Sequence, residues 1–446
     1  MLGKERAQKI LKEAIGHSSC DEVEVFITGG KHWLTRFANN YIHQNVVQKD
    51  YSITAKVING KKVGIASCNV FHGEYLKDVI LKAEEVLRNQ LDDPNAVPLF
   101  PGGEYTEIKD AYDDRTINFT PEEAAGEVEK VVNKCKKEDL TAAGTISFGD
   151  NVVTLMNSRG NFTYHSWTDA AFTLTAIDAE GGTGWSDHYG TSIGEIDVNA
   201  LADVAIEKAI LNKKPVELPP GEYTVILEER AAGSLLMFLN SLGFGALSYQ
   251  EGRSFMAGKI GAKLMGDNIT IIDDFSTREV LGLPFDFEGV PRQKITLVEK
   301  GVAKNVVYDM KTAAKDGKES TGHALPPPST RGPLPLNLVL MPGEKNLKEI
   351  IGNTDRAILI TRFWYDNVVD PKKTIVTGLT RDGVFLVENG RITKAVNNMR
   401  YNNSILDAFS HVSELSCNIK SAGKWGVNVA CPAMKIERFN FSGRSA

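Results

Sequence analysis

Apolar positions recur at three- and four-residue spacing at the start of the chain. Ala7, Ile10, Leu11, Ala14 and Ile15 share one stripe that Gly16 closes, which predicts a helix. Val23, Val25 and Ile27 then alternate with Glu22 and Glu24, the pattern of a half-buried strand. Residues 51–58 and 62–67 are β-like and joined at Asn59-Gly60, a tight-hairpin dipeptide. A second apolar stripe predicts a helix over 74–88. Thr120-Pro121-Glu122-Glu123 opens a third: the hydroxyl can cap, proline suits the first helical position, and Glu123 completes a capping box. Residues 145–148 and 152–156 are expected to form a hairpin turned at Gly149-Asp150, and strands at 162–167 and 172–177 would extend it into a meander. A helix over 198–211 ends this half.

Pro215, Pro219, Pro220 and Gly221 interrupt the pattern and mark 213–221 as a linker. Beyond it, short β-like runs at 223–227, 295–299, 337–341, 357–360 and 383–387 alternate with turn signals. Pro326-Pro327-Pro328 excludes a central strand there. The expected fold class is α+β: an N-terminal domain over 1–218, with an antiparallel sheet and flanking helices, then a β-rich C-terminal domain over 219–446.

Composition narrows the function classes. The 446 residues carry 51 Lys+Arg against 57 Asp+Glu, a net charge of −6, which argues against nucleic acid as a direct partner. No apolar run reaches the roughly 18–20 residues of a membrane span, and the charged first residues do not resemble a signal peptide, so a cytoplasmic location is expected. The five cysteines are scattered without a Cys-x-x-Cys, which disfavours a disulfide framework or a zinc knuckle. Of the 40 glycines, Gly243, Gly245, Gly252, Gly258 and Gly261 crowd into one stretch.

Generic catalytic motifs fail. Gly190-Thr191-Ser192-Ile193-Gly194 matches a nucleophile elbow literally, but the preceding polar, glycine-broken text is not a strand, so a loop is expected. Ser421 and Lys424 fit Ser-x-x-Lys by spacing alone. No two histidines stand at the spacing of a helical metal site, and His72/Glu74, Asp187/His188 and His411/Glu414 read as surface hydrogen bonds. Asp273-Asp274 and Asp286/Glu288 could hold a hard cation, though neighbouring Gly and Pro favour turns.

Longer segments are more informative. Gly258-Lys259-Ile260-Gly261, Asp273-Asp274, Asp286-Phe287-Glu288-Gly289-Val290-Pro291, Thr321-Gly322-His323-Ala324, Phe385 to Gly390 and Gly423-Lys424-Trp425-Gly426 resemble the TldD/PmbA family in order and spacing. Asn157-Ser158-Arg159-Gly160 in the first half also resembles it. Peptidase members of that family carry a His-Glu-x-x-x-His segment and a C-terminal cysteine: zinc activates water, and the glutamate takes its proton.

Counting from the Gly-x-Ile-Gly run places Met237, Phe238 and Leu242 at the His, Glu and His positions, and Ala422 at the cysteine. None can replace the residue it stands for. A run of Leu235, Leu236, Met237, Phe238, Leu239 and Leu242 is instead the pattern of a filled core.

The resemblance therefore implies the PmbA/TldE-like branch: no catalytic or metal residue, no cofactor, and zinc only in a TldD-like paralogous partner. It further implies a heterodimeric metallopeptidase that admits unfolded peptides and is often labelled a modulator of DNA gyrase. Homodimerisation as a peptide-binding scaffold without a peptidase role, or a relocated site using His323 or Cys417, remain open at this level. The glycine-dense stretch suggests close approach of a substrate backbone. Arg253, Ser254 and His323, within or beside the recognised segments, are the candidate peptide contacts.

Overall fold

The computed structural model describes residues 2–424 and 427–444, with the backbone alone at 423 and 424. Trp425 and Gly426 of the last recognised segment, and the Lys424 side chain of the Ser-x-x-Lys pair, lie outside the described residues.

The N-terminal half is an antiparallel sheet of β1 (Glu22–Ala38), β2 (Tyr41–Asn59), β3 (Lys62–Cys68), β4 (Thr141–Asn157), β5 (Phe162–Ile177) and β6 (Thr183–Gly190), ordered β3-β2-β1-β4-β5-β6. Helices α1 (Lys4–Ile15), α2 (Glu74–Arg88), α3 (Asp114–Asn118), α4 (Pro121–Lys137) and α5 (Val198–Leu211) accompany it. One sheet face is apolar because every second residue is. Val25, Ile27, Ile53 and Ala55 pack with the stripes of α1 and α2; Ile146, Phe148, Phe172 and Leu174 pack with α4 and α5. The α4 capping box forms as expected: Thr120 Oγ1 accepts the Glu123 N–H at 3.1 Å, and Glu123 accepts the Thr120 N–H at 2.8 Å.

The strands are longer than the sequence pattern predicts. The hairpin expected at Gly149-Asp150 does not exist: β4 runs straight through both residues, and 162–167 and 172–177 are likewise one strand. A Cβ on Gly149 would come within 2.5 Å of the Lys31 carbonyl oxygen, so this glycine serves close strand packing rather than a turn. Asp150 accepts the Lys31 N–H from within the ladder. At the other predicted hairpin, Asn59 pairs with Lys62, so the loop is Gly60-Lys61, with Gly60 at φ 58°.

The C-terminal half begins with β7 (Gly221–Leu227), α6 (Glu229–Gly243), α7 (Ala246–Gln250), β8 (Ile271–Asp273), β9 (Ile295–Glu299), β10 (Val302–Ala303), α8 (Met310–Lys315) and β11 (Asn337–Leu340). It continues with α9 (Leu347–Gly352), β12 (Arg356–Asp370), β13 (Ile375–Glu388), β14 (Arg391–Ala395), β15 (Met399–Ser404), α10 (Ile405–Ser410), β16 (Val412–Lys424) and β17 (Asn428–Arg444). The long β17 pairs with β15 near its end and with β7 before that. The path β7-β12-β13-β15-β17 therefore closes on itself. Leu235, Leu236 and Leu239 of α6 are fully buried in the large core shared with these strands. The architecture is α+β, as expected.

The two halves meet through an aromatic and aliphatic contact. Phe26, Val153 and Leu155 from the sheet face that carries no helices pack against Phe285 and Phe287, and the Phe26 and Phe287 rings meet edge to face at 6.0 Å. Asn161 Nδ2 donates to the Gly289 carbonyl at 3.2 Å. Lys56 stands 3.7 Å from the buried Glu24, with Asp286 and Glu288 of the other half adding to the field that raises its pKa.

Candidate interdomain binding site

The helix-free face of the N-terminal sheet is the floor of a cavity of about 790 Å³ between the halves. Thr28, Thr54 and Trp167 line it from the sheet, and Leu283, Phe287 and Pro326 line it from the C-terminal half. Alternation along the strands explains this wall: the residues between these ones point to the helices. A second cavity, about 450 Å³, shares Tyr189, Gly190, Arg278 and Ser421 with the first and reaches the start of α6.

The smaller cavity is charged. Lys208 pairs with Glu228 at 2.6 Å, Lys420 with Glu229 at 3.0 Å, and Arg278 with Glu195. Arg230 is held differently. Its guanidinium carbon lies 5.7 Å from the Trp185 ring centroid and 5.5 Å from that of Tyr189, and it donates to the Ala422 carbonyl. Asp187 Oδ2 is 3.9 Å from Arg230 and has no hydrogen-bond partner among the described residues. Burial pushes its pKa up to about 7, against the pull of Arg230 and the neighbouring lysines. Asp187/His188 therefore lines an interdomain cavity, where the sequence pattern suggested a surface hydrogen bond.

None of the four positions named from the family spacing lines either cavity: Ala422 follows the lining residue Ser421, and Met237, Phe238 and Leu242 lie further along the helix whose Arg230 does. Ser234, Met237, Phe238 and Ser241 fall at i, i+3, i+4 and i+7 and form the more open face of α6. This corrects the filled-core expectation in part: Leu235, Leu236 and Leu239 fill the core, whereas Met237, Phe238 and Leu242 are only partly buried at its margin. Ala422 on β16 packs against Gly233, one helical turn before Met237, where a Cβ would meet it at 2.2 Å. A thioether, a phenyl ring and two aliphatic groups do not fit zinc. Among the described residues, no three His, Cys, Asp or Glu side chains gather as a metal site.

The candidate peptide contacts lie elsewhere. His323 is fully buried, with Nε2 3.2 Å from Asp273 and Nδ1 2.9 Å from the Thr321 hydroxyl. Burial pushes its pKa down. Ser254 is buried, donating to the Gly243 carbonyl and accepting the Met256 N–H. Arg253 is exposed and paired with Glu251. None of the three lines either cavity.

The recognised acidic segments build a buried node instead. Asp286 accepts backbone N–H groups from Glu288, Val290 and Ala324. Arg292, also buried, lies 4.0 Å from Asp273, and Asp274 pairs with Lys294 at 2.7 Å. The glycine-dense stretch divides: Gly243 makes room for the Phe255 ring and Gly245 for the Pro333 carbonyl, whereas Gly252, Gly258 and Gly261 are exposed at positive φ with open space around them. Ser192 donates to Asp113 and accepts the Gly194 N–H in a loop, as expected, but the text before it, read as too polar and glycine-broken for a strand, is β6, which runs to Gly190.

Sequence reasoning missed Trp185, Asp187, Tyr189 and Arg230 as a group. The alternation Trp185-x-Asp187-x-Tyr189 was the available signal, since it aims three side chains at one face of β6.

Comparison with known proteins agrees with this architecture. A structure of TldE from Thermococcus kodakarensis aligns with a TM-score of 0.88 at 21% identity, over 98% of this chain and 99% of that one. A candidate modulator of a DNA gyrase from Thermotoga maritima aligns at 0.86 and 22% identity, over 98% and 100%. Among sequence relatives, an uncharacterized Methanocaldococcus jannaschii protein is 28% identical over 61% of this chain and 64% of its own length. A metalloprotease TldD homolog of Buchnera aphidicola from Schizaphis graminum is 23% identical over 91% and 89%. The match thus spans just under two thirds of the first relative and nearly all of the second. Family models for the PmbA/TldA metallopeptidase central domain and C-terminal domain match residues 109–213 and 220–443, and the chain belongs to that family.

Proposed function

We propose that this chain is the zinc-less subunit of a TldD/PmbA-type metallopeptidase: it holds unfolded peptide in the interdomain cleft and leaves hydrolysis to a zinc-bearing paralogue. The observation that carries the reading is the chemistry at Met237, Phe238, Leu242 and Ala422. These side chains offer no zinc ligand and no general base, yet Ala422 and the Met237 face of α6 keep a common scaffold through Gly233. The cleft supports the other half of the reading. Its larger compartment has apolar walls from both halves, and hydroxyls such as Thr28 and Thr54 can hydrogen-bond an extended backbone.

The reading includes no direct DNA contact, because a net charge of −6 provides no electrostatic footprint for DNA. Titrating the purified chain into a labelled unfolded peptide, with and without the paralogue, tests the proposal. Binding by this chain alone, with cleavage only after the paralogue is added, is the expected result. Cleavage by this chain alone, or failure to bind peptide, would refute it.

A further inference from the structure

The two cavities are chemically different and adjacent, and the charged one has an unmatched group. Five carboxylates line it: Asp187, Glu195, Glu228, Glu229 and Glu279. Four cations do: Lys208, Arg230, Arg278 and Lys420. Three of the cations are paired with Glu228, Glu195 and Glu229. The fourth, Arg230, spends its guanidinium on two aromatic rings and the Ala422 carbonyl, and stays 3.9 Å from Asp187. Asp187 Oδ2 is therefore a buried acceptor with no hydrogen bond among the described residues, and the cost of leaving such an atom unpaired is high. Its raised pKa agrees with that geometry.

We propose that Asp187 receives a primary ammonium group, the amino terminus of a peptide whose first side chains extend past Tyr189 into the apolar compartment around Trp167 and Phe287. An ammonium supplies the charge and the N–H donors that Asp187 lacks. Tyr189, Gly190 and Ser421 belong to the walls of both compartments, so the two lie side by side. The inference rests on the peptide-holding reading above and adds which end of the peptide is recognised, and by what.

A short, C-terminally labelled peptide beginning Leu-Phe, measured by fluorescence anisotropy at pH 7.5, tests it. N-acetylation is expected to weaken binding by about 10- to 100-fold, the scale of one buried charge-assisted hydrogen bond. Asp187→Asn should weaken the free-amine peptide by a similar factor and abolish the difference between the two peptides. An acetylated peptide carrying an internal lysine separates the other source of an ammonium. If it binds as well as the free-amine peptide, recognition of the terminus is wrong. Equal binding of free and acetylated peptides without lysine would also overturn the inference while leaving the peptide-holding reading intact. Binding of none of them would remove both.

Discussion

The Ala422 methyl occupies the space that a side chain at Gly233 would need: a Cβ on Gly233 would lie 2.2 Å from the Ala422 Cβ and 3.5 Å from Cys431 Sγ. That contact ties the start of α6 to β16, at the two segments where zinc-bearing relatives are expected to place their metal ligands. Glycine in a helix interior costs up to about 1 kcal/mol relative to alanine, so Gly233→Ala would stabilise an isolated helix. Here overpacking, at roughly 1–3 kcal/mol, should win. Gly233→Ala is expected to lower the melting temperature, and adding Ala422→Gly should restore it. Thermal unfolding of the single and double variants gives the coupling; purely additive effects would contradict the contact.

The Asp187 carboxyl makes stability depend on pH in a definite direction. Its folded pKa, about 7, lies above the ordinary 3.8, so folding takes up a proton between those values. The contribution is complete below about pH 4 and is lost as pH rises through 7. It amounts to something on the order of 2–4 kcal/mol. Asp187→Asn should therefore be more stable than the parent at pH 8, with little advantage at pH 4. Chemical denaturation at both values checks this, and an advantage confined to pH 4 would reverse the assignment.

Lys56 is the cation nearest the buried Glu24, with Asp286 and Glu288 adding to its field across the junction of the two halves. Removing one partner of a buried pair leaves an uncompensated charge and costs roughly 3–5 kcal/mol. Lys56→Ala should be destabilised on that scale, and Glu24→Gln in the same chain should recover much of the loss. Equal instability of the single and double variants would show that the charge pairing is not what matters there.

How far the sequence was legible depended on the distance over which each feature is decided. The α4 start at Thr120 and Glu123 is a local device and was read correctly, as was the α5 span. Strand lengths failed because they depend on neighbours. Gly149-Asp150 has turn chemistry locally, but β1 and β5 on either side hold it in the ladder. The start of β2 was invisible because residues 41–50 are exposed and polar enough to lack a clean alternation. Positions 237, 238, 242 and 422 could be named as the expected counterparts of the zinc ligands only through the spacing of the family resemblance. The cavity partners could not: Asp187 and Arg230 come from different halves and meet only when those halves pack. Conversely, His323 stood in a recognised segment and proved to be part of the buried scaffold.

The central claim is that this member of the family holds peptide without metal chemistry of its own. Metal analysis of the purified chain, coupled to peptide binding before and after chelation, tests it most directly. The account predicts well under one zinc per chain and an unchanged peptide affinity in the presence of chelator. One tightly bound zinc per chain, together with proteolysis that chelator abolishes, would contradict it.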